Sequence, residues 1–445
     1  MNTIFGFILV LGVLIVVHEW GHYIVARFFG VRVDVFSIGF GPRLFGIKRG
    51  PTDWRVSAVP LGGYVRMAGQ DITDIDSGDQ KPTGAPDELL SKKRWQRALI
   101  SLAGPVVNLI FPLFLLTAYF VFKGEPYPKY QDQPLTVVSL PKDSLTAKVG
   151  LEAGDRITNY NGFANPTWGT LESDLEKGFA DRTFRFTYEH DGQSHSAEVS
   201  AASNANDASL LFGYPPNPPL VGMLDKHKPA YRAGLRRDDV VESMNGKPLH
   251  NWQEMVNAIQ AAGGSTAQVT VRRNSETLTF NLTPILDKNG RGETAWIIGI
   301  QPGQEYSFRK VGASQAVVSA VNFTARGTYQ VIDTVGKLVT RKIAAKELQS
   351  FIGIANEAGH AVQEGTFAVV TLMAGLSLNL GILNLLPIPI LDGGHILLLA
   401  LEGLRRRDFS LAFKERFIQV GLVFLLVLIA YVMYNDVMRI LPLHS

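Results

Sequence analysis

The chain has 445 residues, room for several domains, and its 43 Lys and Arg against 40 Asp and Glu leave a net charge of only +3. So small an excess gives no electrostatic footprint for nucleic acid, and no nucleic-acid partner is expected. Cysteine is absent, which excludes disulfides and thiolate metal sites, so any zinc must be held by His, Asp or Glu.

The hydrophobic content of 46% is ordinary for a globular protein but unevenly spread. Residues 1–26 hold the first long apolar run, from 4 to 26, and about 20 helical residues suffice to cross a bilayer. A cleaved leader is not expected, because the basic n-region is missing and the apolar core carries ionisable groups. Those groups are His18-Glu19-Trp20-Gly21-His22. Ionisable side chains inside a span are costly, so their default reading is functional. In H-E-x-x-H the two histidines, four residues apart, share one helix face and can hold one zinc ion, with Glu19 beside them as general base.

Residues 27–97 form the first connection. Strand-like runs at 54–59 and 64–67 flank Pro60-Leu61-Gly62-Gly63 and read as a β-hairpin. Gly39-Phe40-Gly41-Pro42 is a turn, and 71–88, rich in Asp, Gly, Pro and Thr, reads as a mobile linker. The second span is 98–122, interrupted only by Gly104-Pro105 and Asn108.

Between 123 and 365 the chain repeats itself. Gly150-Leu151, Asp155, Asn161-Gly162 and Trp168 recur at a constant offset as Gly234-Leu235, Asp239, Asn245-Gly246 and Trp252. The offset is far too long for a solenoid period and fits two copies of one small domain, 125–214 and 219–305. The proline-rich run from Gly213 to Pro219 reads as a semi-rigid linker between them. Residues 313–346 carry apolar side chains at helical spacing, suited to packing on the repeats or to lying on the membrane surface, within a helical linker that runs to 365. A third span follows in 366–403, its apolar run ending near 386, and a fourth in 417–434.

Lysine and arginine near the span ends set the orientation. Arg27, Arg32, Lys92, Lys93, Arg94 and Arg97 flank the first connection, and Arg405, Arg406, Arg407, Lys414 and Arg416 lie between spans three and four. Both connections are expected in the cytoplasm, which leaves both termini and the repeats outside, in the periplasm of a bacterium with an outer membrane.

Two histidines leave zinc one protein ligand short of a catalytic site. The missing carboxylate is expected from Asp392 in Leu391-Asp392-Gly393-Gly394, because spans one and three run the same way and bring His22 and Asp392 to similar depth. His18 lies about 13 Å of helix before Arg27, inside the hydrocarbon. The competing role for Asp392 is a helix cap. His395 is a weaker candidate ligand.

Taken together, the H-E-W-G-H run, Gly104-Pro105-x-x-Asn108, the Asn384 to Asp392 segment and the repeated Gly-Leu…Asp…Asn-Gly set resemble the site-2 protease family, in its bacterial branch with tandem PDZ domains, the regulator-of-sigma-E type. The resemblance implies a polytopic α-helical membrane protein with four transmembrane helices and two α+β PDZ-like domains inserted on the extracytoplasmic side. It implies zinc on His18, His22 and Asp392, with Glu19 as catalytic base. Asn384, Pro387 and Pro389 match a segment that handles substrate, and 54–67, with Gly62, Gly63 and Tyr64, matches a re-entrant β element that receives it. The implied substrate is a single-span membrane protein of the anti-sigma-factor type, pre-trimmed by another protease, with remnant signal peptides as a further class. The PDZ-like domains would take peptide C-termini or extended segments, or act as a size filter, and the lipid bilayer is the remaining partner. A PDZ scaffold with a remnant motif leaves the intact His18, Glu19, His22 and Asp392 set unexplained, and a metal transporter leaves both repeats unexplained.

Overall fold

The computed structural model describes residues 2–69, 83–141, 144–202, 209–225, 227–288, 293–340 and 351–440. Most of the linker expected at 71–88, and residues 341–346 of the expected helical stretch, lie outside them. The chain divides into two compact units, Met1–Glu125 with Lys310–Ser445, and Pro126–Arg309.

In the first unit, four helices among the described residues are long and apolar enough to cross a membrane: Phe5–Phe28, Arg94–Lys123, Thr366–Asn384 and Ala412–Tyr434. A helix satisfies its own backbone groups, which lipid cannot do. Two of them begin earlier than the apolar runs. The second starts at Arg94, where the Lys93 amide donates to the Gln96 side chain at 3.0 Å. The fourth starts behind Ser410, whose hydroxyl accepts from the Phe413 amide at 3.3 Å as a helix cap. An apolar run measures the hydrocarbon part of a helix, and polar caps extend it.

Helix Ala313–Val339 buries Ala316 and Ala320 against Leu116 and Phe120 of the second span and Ala374 of the third. Its Val317, Val318, Val321, Tyr329 and Ile332 stay exposed. Helix Phe351–Glu364 places Ala358 beside Val10 and Leu14 of the first span.

The first connection is more than a hairpin. Runs 54–56 and 63–65 do not pair with each other; both pair with 36–38, which lies between them (Phe36 with Trp54 and with Val65). Residues 52–57 pair on their other side with 43–49. Val33, Val35 and Phe36 are buried, and this apolar strand takes the centre that a tight turn at Pro60-Leu61-Gly62-Gly63 would have closed. Trp54 stacks on Phe36 at 4.7 Å between centroids and meets Tyr23 of the first span at 5.0 Å, with Trp20 5.8 Å away. Aromatic packing of this kind adds to simple area burial and fixes the sheet on the first span.

The second unit holds two modules of one design. Each has a four-stranded sheet in which a strand (Arg156–Tyr160, then Val240–Met244) pairs with a two-residue strand on one side and a longer hairpin on the other. Each has one helix opening on the repeated tryptophan, Trp168–Leu175 and Trp252–Ala262. The repeated Asn-Gly pairs form tight hairpin turns, with positive φ at Asn161, Gly162, Asn245 and Gly246. Asp155 and Asp239 each accept an amide three residues upstream at 2.8 Å, from Glu152 and Arg236. The cores are separate, around Tyr160, Phe184 and Phe212, and around Val241, Met255 and Val269.

Candidate metal centre

Helix Asn2–Phe28 presents His18 and His22 on one face, toward the second and third spans. The chain between Asn384 and Asp392 is too short and too proline-rich to stay helical. It turns through Leu386, Ile388 and Leu391, with Ile390 at a φ of 81°, and a new helix, Asp392–Arg405, begins. A β-branched residue at positive φ is strained, and the segment holds it because both flanking helices are fixed. Gly393 is required there: a Cβ would come within 2.3 Å of the Leu385 and Leu386 carbonyl oxygens. Leu391 occupies the cap position, so Asp392 is not a cap and its carboxylate is free to point at the histidines.

Three ligand atoms converge. His18 Nε2 lies 3.3 Å from Asp392 Oδ2, His22 Nε2 lies 3.4 Å from Asp392 Oδ1, and the two Nε2 atoms are 3.3 Å apart. Tetrahedral zinc with ligand bonds of about 2.0–2.1 Å separates its ligands by roughly 3.3 Å. The spacing therefore fits zinc. Both histidines are buried, and the other face of each ring is occupied: His22 Nδ1 is 2.7 Å from the Ile100 carbonyl oxygen and His18 Nδ1 is 3.1 Å from the Asn108 amide. Close approach of the second span depends on Gly104, where a Cβ would lie 2.3 Å from His22 Nε2.

A cavity of about 590 Å³ opens on this cluster. Glu19, Gly62, Gly63, Tyr64 and Asn384 line it together with the three ligands. A Cβ on Gly63 would come within 3.3 Å of Glu19 Cγ, so the strand runs directly over the carboxylate. Among the described residues, 63–66 has a paired strand on one side only. Asn384 Nδ2 is 3.3 Å from His18 Nε2. Pro387 and Pro389 do not line the cavity. Pro389 instead packs against the fourth span, where a Cβ on Gly421 would meet its carbonyl oxygen at 2.3 Å. His395 lines the cavity but stands outside the ligand cluster.

Sequence reasoning used Arg94, Arg97 and Lys414 only as orientation markers. In the fold they hold helix Asp392–Arg405 and its following turn. Lys414 Nζ donates to Glu402 at 2.8 Å and Arg94 Nε to Asp408 at 2.9 Å. The bond from Arg94, aided by the charges of Arg97 and Lys414 against partial desolvation, holds the Asp408 carboxyl below the usual range. Glu402 is fully buried, and an acidic side chain so placed late in an apolar helix could have been flagged from sequence.

The family model for peptidase family M50 matches residues 6–428. The chain is 30% identical over 453 residues to the regulator of sigma-E protease RseP of Escherichia coli, covering 98% of each. A Salmonella typhi chain named regulator of sigma E protease is 29% identical with the same coverage. A Pasteurella multocida chain carrying a zinc-metalloprotease name is 32% identical over 461 residues, again covering 98% of each. Among solved structures, a PDZ domain of an SdrC-like protein from Listeria monocytogenes aligns with 19% of this chain and 87% of that one at 17% identity. Its TM-score of 0.17 is too low to carry an argument about fold.

Proposed function

The chain belongs to peptidase family M50 and is an intramembrane zinc metalloprotease of the RseP type, and from that premise we propose that it cuts single-span membrane proteins within their transmembrane segment. The observation that carries the proposal is the His18, His22 and Asp392 cluster, formed by helices of a membrane-spanning unit and opening on a cavity with Glu19.

When bound there, zinc supplies Lewis-acid polarisation and a water acidified enough to attack at neutral pH. His18, His22 and Asp392 would hold it. Glu19 takes the proton as the water oxygen bonds to the scissile carbonyl carbon, then returns it to the leaving nitrogen as the C–N bond breaks. The Asn384 amide, beside His18, is placed to donate to the carbonyl oxygen as charge develops on it. A peptide bond in a helix is shielded, so substrate must enter extended. The strand edge at Gly62, Gly63 and Tyr64 offers backbone groups for pairing beside Glu19. Pro387 and Pro389, which lack the backbone N–H a helix needs, keep 385–391 out of a helix and so set where Asn384 and Asp392 end up.

The finer assignments extend this reading. The two modules are PDZ-like, lie on the extracytoplasmic side and take extended segments or C-termini, or screen substrates by size. The protein resides in a bacterial inner membrane with both termini outside, as its lysine and arginine distribution supports. Its substrate is a pre-trimmed anti-sigma factor, as the sigma-E names of its relatives suggest, with leftover signal peptides a second class. The test is reconstitution of the purified chain with single-span substrates and mapping of the cut. Products ending inside the span are expected, and cuts only in soluble flanks would sink the proposal. A chain lacking 126–284 should cut untrimmed substrates that the native chain spares; if it still spares them, the size filter is wrong.

A further inference from the structure

We propose that Asn108 is a positioning residue for the metal: its side-chain carbonyl accepts from His18 Nδ1–H, fixing the tautomer that leaves Nε2 unprotonated and aimed at the site. The proposal rests on the metal-centre reading above.

A neutral imidazole has one N–H and one lone pair, and the partner of the first nitrogen decides which is which. His18 Nε2 faces Asp392 and His22 at 3.3 Å, so it must carry the lone pair to bind a metal. Nδ1 must then carry the proton, and buried as it is, that proton needs an acceptor. Asn108 is the group within reach, 3.1 Å away. It sits fully buried in the second span, and its Oδ1 has no partner among the described residues while its Nδ2 faces Nδ1. Two N–H groups cannot both donate across one contact. The two ends of an amide are nearly equal in shape, and a half-turn about its last bond puts Oδ1 on Nδ1–H. One rotation removes the conflict and satisfies the orphaned oxygen.

The residue is anchored from the third span through its main chain. The Ser377 hydroxyl of the third span donates to the Asn108 backbone carbonyl at 2.7 Å. His22 gets the same service from the second span by another means, the Ile100 main-chain carbonyl at 2.7 Å from its Nδ1. Each histidine thus has an acceptor behind it from one helix, and only the one behind His18 is a side chain that mutation can change. Outer partners of this kind orient coordinating histidines and raise their basicity.

The test is zinc affinity of the full chain in detergent by chelator competition, with the visible spectrum of the cobalt-substituted protein as a second readout. Asn108→Leu, of similar volume but no acceptor, should weaken zinc by about 10–100-fold and shift the cobalt bands. Ser377→Ala, which removes that main-chain hydrogen bond but not the acceptor, should leave the cobalt bands in place. Asn108→Asp decides the direction of the bond, since an ionised aspartate can accept but not donate. It should bind zinc at least as tightly as the native chain. A native-like affinity in Asn108→Leu overturns the proposal. So does loss of zinc in a folded Asn108→Asp, even should the leucine chain fail to assemble.

Discussion

Gly104→Ala is the sharpest perturbation of the metal centre because it adds one methyl group at the point where the second span meets the ligands. The new Cβ would lie 2.3 Å from His22 Nε2 and 2.8 Å from His18 Cε1. Unbonded heavy atoms keep roughly 3.5 Å, so something must move by about 1 Å. The two helices are in close backbone contact there, with Gly21 of the first span against Ala103, where a Cβ would come within 2.6 Å of the carbonyl oxygen, so parting them would open that whole seam. The imidazoles will move instead. Overpacking of this size costs about 1–3 kcal/mol of stability, which a membrane-embedded bundle can survive. A metal site tolerates only about 0.2 Å in its ligand distances. The expected outcome is a folded chain that has lost its zinc, seen as a near-native helical signal in circular dichroism with little metal by atomic absorption. Gly12→Ala is the control, because a Cβ there meets nothing within 4 Å. It should keep its metal. If Gly104→Ala retains zinc at native affinity, the second span does not press on the ligands as described.

Other outcomes follow from the same geometry. Gly63→Ala, whose Cβ would come within 2.6 Å of Ile15 and 3.3 Å of Glu19 Cγ, should lift the strand from the carboxylate and lower kcat while zinc stays bound; unchanged turnover would separate that strand from the chemistry. His22→Ala and Asp392→Asn should each lose zinc in a chelator titration, and native metal content in either would remove that residue as a ligand. The two modules should respond differently to pH. In the first, buried Asp155 is bonded to His190 at 2.7 Å; in the second, the equivalent Asp239 is bonded to Arg273 at 2.7 Å. The hydrogen bond and charge of Asp155 raise the His190 pKa, with lesser help from Asp191 and Glu152. The stabilisation is therefore complete below the unfolded value, about 6.5, and is lost as pH rises through the raised folded value. Hydrogen exchange on the full chain should show protection of strand Thr183–His190 falling with rising pH beyond the general base-catalysed trend, while Ala267–Arg273 follows that trend alone. Parallel behaviour of the two strands would refute the contrast.

Much of the centre was legible in the chain itself. A histidine pair at helical spacing inside lipid announces a metal, and parallel directions of spans one and three put Asp392 at the right depth. The cap alternative for Asp392 failed because Leu391 took that position. What escaped was whatever depends on a third element arriving from elsewhere. The pairing of 36–38 between 54–56 and 63–65 was not foreseen, because a Pro/Gly turn between two strand-like runs makes a local hairpin the default, although Val33, Val35 and Phe36 carry the apolar character of a central strand. Trp20 occupies an unspecified position of the H-E-x-x-H motif, yet its ring packs beside Trp54 and Phe36, on the sheet that covers Glu19. Pro389, matched to the substrate segment, also packs against Gly421 of the fourth span, a contact that the sequence did not announce. Asn108 stood out as the one amide in its span, but the partner that gives it meaning lies on another helix.

The central claim is that Glu19 moves the proton while His18, His22 and Asp392 hold the metal, so one substitution should divide the two tasks. In Glu19→Gln the cluster is untouched, and the purified chain should bind about one zinc at native affinity. Its cleavage of a reconstituted single-span substrate should fall by about 10²–10⁴, the usual worth of a general base. Zinc bound with turnover gone is the predicted result. Turnover equal to that of the native chain, with zinc bound, would contradict the account.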